Sequence, residues 1–360
     1  MVSGTPVIAS DAADRAATLT RDVAAGARPA RSRRALQLAA LLGLSAAITL
    51  TTQVWVGGAT VYSPELKDRR ERLHQIILEN RAQSPGEKRA LGVNTTNIRI
   101  GTVYAAEAIH RATGLSISRV YRVMDTVALF AALPLVFWLF RRMTSREYAL
   151  LAMLYVGSIL PLTYFLFYFH PWDRPTLVLW ILMLACIHDD RPVLLGALLF
   201  VSMIVKFDAL FLPGLYFLVY AKRDTLVPVA ARTAGLFAVT VGTYAALRMI
   251  FPGGSAVGNA WWQIRTNFQH MLDYNVGYPP MLVLGVPVLL ALVGWRDANR
   301  FARACAVFAV GLAGIYFVNS NFAEVRAMMN VVLLVLPAAL VGARDLLSAP
   351  SVTPAPANRA

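Results

Sequence analysis

Three short polar breaks in a very apolar chain carry the residues with the most obvious chemical potential. Asp173 and Arg174 lie together in "HPWDRP", Lys206 and Asp208 in "IVKFDALFLP", and Glu324 and Arg326 in "NSNFAEVRAMM". Each break pairs a cation with a carboxylate. Taken singly, such a pair is an interfacial anchor or a local ion pair. Taken together, Lys and Arg suit a phosphate group, and a carboxylate beside them suits proton transfer or the orientation of a hydroxyl. Asp173 is the candidate base or acceptor-orienting group. Arg174, Lys206, Asp208, Glu324 and Arg326 are the candidate substrate-binding residues.

The elements that must position these residues follow from composition. The chain has 360 residues, of which 57% are hydrophobic and 15% charged, and its mean hydropathy is +0.55. A soluble domain of this size needs a far more polar surface, so the chain reads as an integral membrane protein. Long apolar segments with short basic breaks mean helices, since a barrel would show weak alternating stretches of about ten residues. The expected fold is all-α: a polytopic helical membrane protein of about ten transmembrane helices. Their approximate ranges are 35–56, 117–140, 147–169, 175–188, 192–205, 208–221, 226–251, 279–295, 301–319 and 326–343. Segments 1–34 and 344–360 read as disordered cytoplasmic tails, leaving 35–343 as the transmembrane domain. The apolar run after "RSRR" is long enough to span and is expected to stay as an anchor rather than be cleaved.

The paired basic residues cluster at Arg141–Arg146, His188–Arg191, Ala221–Asp224 and Arg296–Arg303. The positive-inside rule makes these connections and both termini cytoplasmic. Residues 170–174, 206–208, 320–326 and the long loops 57–116 and 252–278 then lie outside, with the three charged breaks at one depth. Segments 175–188, 192–205 and 208–221 are short for spans, about 21 Å each against a ~30 Å hydrocarbon core. Either they surround an indentation, or 192–221 is one helix with Lys206 and Asp208 inside it. Both versions put charge at membrane depth, where it is costly and usually functional.

In the first outer loop, "SPELKDRRERLHQIILENRA" and "NIRIGTVYAAEAIHRATG" read as two short amphipathic helices, the second ending at Gly114. His74 and His110 read as surface histidines, Trp261 and Trp262 as aromatic-belt anchors, and Cys186 and Cys305 as small core residues. "NTT" at Asn94 fits the glycosylation sequon, a short and common pattern. No spacing supports a metal site, and no Gly-rich phosphate loop, dinucleotide fingerprint, HExxH or GxSxG occurs. The net charge of +14 follows from the tail and the cytoplasmic connections rather than from any nucleic-acid-binding pattern.

Several pieces resemble bacterial GT-C-type glycosyltransferase-like membrane proteins, which use polyprenyl-phosphate-linked sugars. These are "LHQIILENRAQSPG…NIRIGTVYAAEAI", "GLSISRVYRVMDTVALF", the acid at Asp173, "KFDALFLPGLYFLVY" and "NFAEVRAMMNVVLLVLPAAL". The resemblance is one of layout over most of 35–343, with "AEVR" its most characteristic piece. It implies a GT-C-like bundle at the cytoplasmic (inner) membrane, transferring a sugar at the outer face from a polyprenyl-phosphate carrier to a glycan or lipid acceptor. The partners it implies are the lipid-linked sugar donor, the acceptor, membrane lipids and an envelope-biosynthesis protein; no nucleic acid and no cofactor are expected. Members of the group carry an acid soon after the first span, whereas "VWVGGATVYSPELKD" has none before Glu65 and Asp68. The base is therefore Asp173, one of those two alternative acids, or absent. No counterpart of the soluble C-terminal domain of larger members is expected, so acceptor recognition is expected to be simple or supplied by another protein. The competing expectation is a transporter or accessory subunit for lipid-linked envelope glycans without catalytic activity.

Overall fold

A computed structural model describes residues 35–80, 99–164, 170–251, 260–321 and 324–348, which are helical with no strand among them. The helices are α1 (Ala35–Gly57), α2 (Lys67–Leu78), α3 (Ile100–Thr113), α4 (Ile117–Arg141), α5 (Arg146–Ile159), α6 (Asp173–His188) and α7 (Pro192–Val205). They continue with α8 (Leu212–Tyr220), α9 (Leu226–Ile250), α10 (Ala260–Leu272), α11 (Tyr274–Val293), α12 (Arg300–Asn319) and α13 (Val325–Leu347). The chain divides into two compact units, Met1–Ala47 and Ile48–Ala360. In the first, the described residues are the opening turns of α1, where Ser45 donates to the Leu41 carbonyl at 2.8 Å. All that follows concerns the second unit.

Six helices are long and apolar enough to cross a membrane: α1, α4, α5 extended to Tyr164, α9, α12 and α13. A seventh span arises if α10 and α11, which meet at 82°, count as one bent pair. Large apolar side chains such as Val193, Val227, Met249 and Val310 stand exposed on the helices. In water such a surface would be a liability, and it suits contact with lipid.

At the centre stands α13, buried along nearly its whole length. Apart from Arg326 and Asn330 its buried residues are apolar, as suits a helix surrounded by protein, and α11 and α12 are its main neighbours. The backbones of α13 and the end of α11 meet at two glycines. A Cβ on Gly342 would collide with the Leu290 carbonyl, and one on Gly294 with the Gly342 backbone. No larger residue permits that approach.

The chain from α7 to α8 is a hairpin rather than one long helix. Lys206 adopts an extended conformation (φ −162°, ψ 128°) and ends α7; a tight turn over Phe207–Phe211 follows, and Pro213 sits at the start of α8. The returning leg docks on the opposite end, where the Tyr220 hydroxyl donates to the Ile187 carbonyl at 2.5 Å and the Tyr216 hydroxyl to Asp190 at 2.7 Å. Lys206 and Asp208 therefore occupy the tip.

The two short helices of the first loop form as expected, with Leu73, Ile76 and Ile77 of α2 and Val103 and Ala106 of α3 buried. Gly114 ends α3 in the left-handed conformation at φ +68°, which glycine adopts without strain. Three expectations need correction. His74 is buried rather than exposed, because α2 lays its apolar face against α3 and α4 and takes the imidazole with it. Asp173 and Arg174 belong to the first turn of α6 rather than to a loop at 170–174. Finally, α13 runs on to Leu347, past the expected end at 343. Cys186 and Cys305 are buried and unbridged, as core residues. The remainder of both tails, Asn94, and the side chains of Glu65, Trp261 and Trp262 lie outside the described residues.

Candidate functional site

The three charged breaks converge. Asp173, at the start of α6, places one carboxylate oxygen 3.1 Å from Lys206 Nζ and the other 3.0 Å from Arg326 Nε. Lys206 also holds Asp208 at 2.6 Å, and Arg326 holds Glu324 at 2.7 Å. The result is a chain of alternating charge, Asp208–Lys206–Asp173–Arg326–Glu324, drawn from the α6 start, the α7–α8 tip and the α13 start. An acid in the first turn of α6 also meets the positive end of that helix. Pairing of this kind is the condition under which charges persist away from water.

Arg99 joins the cluster from the residue before α3. Its guanidinium lies 5.0 Å from the ring centres of both Trp172 and Phe207, close enough for cation–π attraction. Asp208, Asp173 and Glu324 are its electrostatic partners. The close contact of Gly101 with Ile204 and Val205, where a Cβ would stand 3.0 Å from Ile204, brings this arginine to the hairpin tip. His170, in the connection before α6, stacks edge-on against Trp172 at 5.4 Å. Burial holds its imidazole well below the usual histidine range, and the nearby Arg326 adds to the effect.

Arg174, the neighbour of Asp173, enters a second network. It meets Asp125 of α4 at 3.4 Å, donates to the Thr163 hydroxyl at 2.8 Å, and lies 4.1 Å over the Tyr164 ring. Asp125 also accepts from Gln53 at 2.8 Å and from the Tyr164 hydroxyl. Gln53 is aimed there by a widened π-turn over Thr52–Gly57, a helix irregularity that recurs at functional sites. Between the two networks is a cavity of about 10 Å³, lined by Thr163, Asp173, Arg174, Lys206, Arg326 and Asn330 among others, room for about one water.

Five of the six residues proposed around Asp173 from sequence, counting Asp173 itself, thus form one network, while Arg174 looks the other way. Asp68 is exposed on α2 and stands apart. Sequence reasoning passed over Arg99, Asp125, Gln53 and Tyr164. Asp125 carried a usable signal, an acid within an apolar span; Arg99 carried none, because an arginine before an amphipathic helix is ordinary. Among the described residues no group of three or more His, Cys, Asp or Glu side chains is placed to hold a metal ion.

A third polar cluster lies in the first loop. His74 bonds Tyr121 at 2.7 Å through Nδ1 and Glu107 at 3.1 Å through Nε2, and Arg111 donates to Glu107 at 2.6 Å. Burial holds His74 below its ordinary value, against the pull of Glu107. At the opposite end of the bundle Arg142 pairs with Asp189, and Arg232 with Asp190 at 3.6 Å. Fold and cluster together define a membrane-embedded helical protein with a buried polar site at one end. No family model, curated protein or solved structure matches the chain.

Proposed function

We propose that the protein is a GT-C-type membrane glycosyltransferase, moving a sugar from a polyprenyl-phosphate carrier to a glycan or lipid acceptor at the outer face of the cytoplasmic membrane. The single observation that carries this reading is the convergence of Lys206 and Arg326 on Asp173 from three distant segments. In this reading α6, α7 and α8 are spans, giving ten in all, with both termini cytoplasmic. A helix of 14 residues such as α7 covers ~21 Å of a ~30 Å core. In this reading the network lies near the outer interface, within reach of a lipid phosphate.

The reaction needs two things. An acceptor hydroxyl attacks the anomeric carbon and gives its proton to a carboxylate, for which Asp173 is the candidate, while the bond from that carbon to the phosphate oxygen breaks and its electron pair leaves with the phosphate. Lys206, Arg326 and Arg99 stabilise the departing charge. Asp173 is the candidate for orienting them, since each of its oxygens holds one of the first two. Arg174 and Asp125 brace the start of α6 from behind.

The accessory or transporter reading, which needs charges but no base, draws on a different observation: Asp173, Asp208 and Glu324 are each already paired with a cation. Purified protein in liposomes with a labelled polyprenyl-phosphate sugar and membrane-derived acceptors separates the two. Covalent product, abolished by Asp173→Asn, supports the enzyme; movement of label across the bilayer without product supports the transporter and removes the transferase proposal.

A further inference from the structure

We infer that Asp208 and Glu324 are exchangeable counter-ions that occupy the place of a ligand's phosphate oxygens, and that the group this site prefers is a dianionic phosphomonoester. The inference rests on the phosphate-binding part of the reading above and adds the charge state and the means of entry.

Lys206 and Arg326 share Asp173, and each also pairs with a further carboxylate. Asp173 is shared, set in the first turn of a helix, and its side chain is 5% exposed. Asp208 pairs with Lys206, also meets Arg99 and Tyr316, and lies in the tight turn at the hairpin tip. Glu324 belongs to Arg326 and precedes α13 in an extended conformation, with its side chain 19% exposed. The two further carboxylates are therefore on the irregular and more open side of the network, and the shared one is anchored beneath. The cavity that Asp173, Lys206 and Arg326 line has about 10 Å³ of room, enough for one water and not for a phosphate. A phosphate that reaches both cations therefore takes the positions that Asp208 and Glu324 hold at 2.6 Å and 2.7 Å.

The charge count then selects the ligand. Among the described residues Arg99, Lys206 and Arg326 oppose Asp173, Asp208 and Glu324, and that set is neutral. With Asp208 and Glu324 swung aside, three cations face one carboxylate, leaving two positive charges. A phosphomonoester dianion balances them, whereas a phosphodiester balances one. A sugar donor linked through a phosphodiester becomes a monoester as the sugar departs. The exposed cations therefore hold the product side of the reaction more strongly than the donor, which is the difference that accelerates a transfer.

The test uses full-length protein in phosphatidylcholine nanodiscs, with farnesyl monophosphate and methyl farnesyl phosphate as the monoester and diester probes. Wild type is expected to bind the monoester more tightly. Glu324→Gln keeps the side-chain shape and removes the competing charge, so monoester affinity is expected to rise by roughly tenfold, the exchange of a charge-assisted for a neutral bond at Arg326. Asp208→Asn makes the same test at Lys206 if the first variant does not fold. Lys206→Met is expected to lose binding. Unchanged or weaker monoester binding in the carboxylate variant, or equal affinity for the two probes, overturns the inference. The liposome assay keeps the two ideas apart: product without this binding pattern sinks the inference alone, and the binding pattern without product sinks the transferase alone.

Discussion

Asp173→Asn is the sharpest test of how the polar end of the bundle is held together. The carboxylate touches Lys206 at 3.1 Å and Arg326 at 3.0 Å, with all three side chains largely buried. At such separations each pair attracts by about 5 kcal/mol for an effective dielectric near 20. The asparagine amide no longer bears the carboxylate's desolvation cost, and removal of one partner from a buried pair costs a net ~3–5 kcal/mol. Lys206 keeps Asp208 and Arg326 keeps Glu324, so the loss belongs at the lower end, about 3 kcal/mol. For a chain of 360 residues that is a fall of roughly 4 °C in unfolding midpoint. Cys186 and Cys305 are buried, so a thiol-reactive dye in detergent reports the transition directly. Adding Arg326→Gln to the variant restores the charge count and is expected to recover about 1 kcal/mol or more. A midpoint shift within measurement error for Asp173→Asn, or simple additivity in the double variant, would refute the network as a coupled unit.

Two further outcomes are expected. His74 is held neutral by burial, with its value below 6.5 in the folded protein, so the unfolded chain binds the proton first as pH falls. Stability from this group is complete above pH 6.5 and declines as pH drops from 6.5 toward the folded value; thermal midpoints across that window are expected to fall less in His74→Gln, and equal slopes would remove His74 as the cause. Gly342→Ala is expected to destabilise severely, because the new methyl meets the Leu290 carbonyl, whereas Gly235→Ala in α9 has open space around it and gains up to about 1 kcal/mol of helix propensity. Comparable midpoints for the two alanine variants in the dye assay would contradict the close approach of α11 and α13.

Much of the architecture was legible in the chain itself. Apolar length and basic breaks place the helices within a few residues, and α7 matches its expected range of 192–205. The turn chemistry of Gly114 and the apolar positions of α2 are equally local and came out as read. The expected span began at 175, two residues after the observed start at Asp173; a proline such as Pro175 is tolerated in the opening turn of a helix.

The candidate site divides along the same line. Sequence by itself determined which residues are costly to bury, that three mixed-sign pairs share one end of the bundle, and that the chain folds as apolar helices; each is a sum over neighbours along the chain. Only the tertiary structure decided that Asp173 serves both Lys206 and Arg326, that Arg174 turns to Asp125, and that Arg99 completes the charge balance. Those pairings depend on distances between segments far apart in the chain. Helix packing sets them, and no local pattern of charge records which partner a side chain reaches.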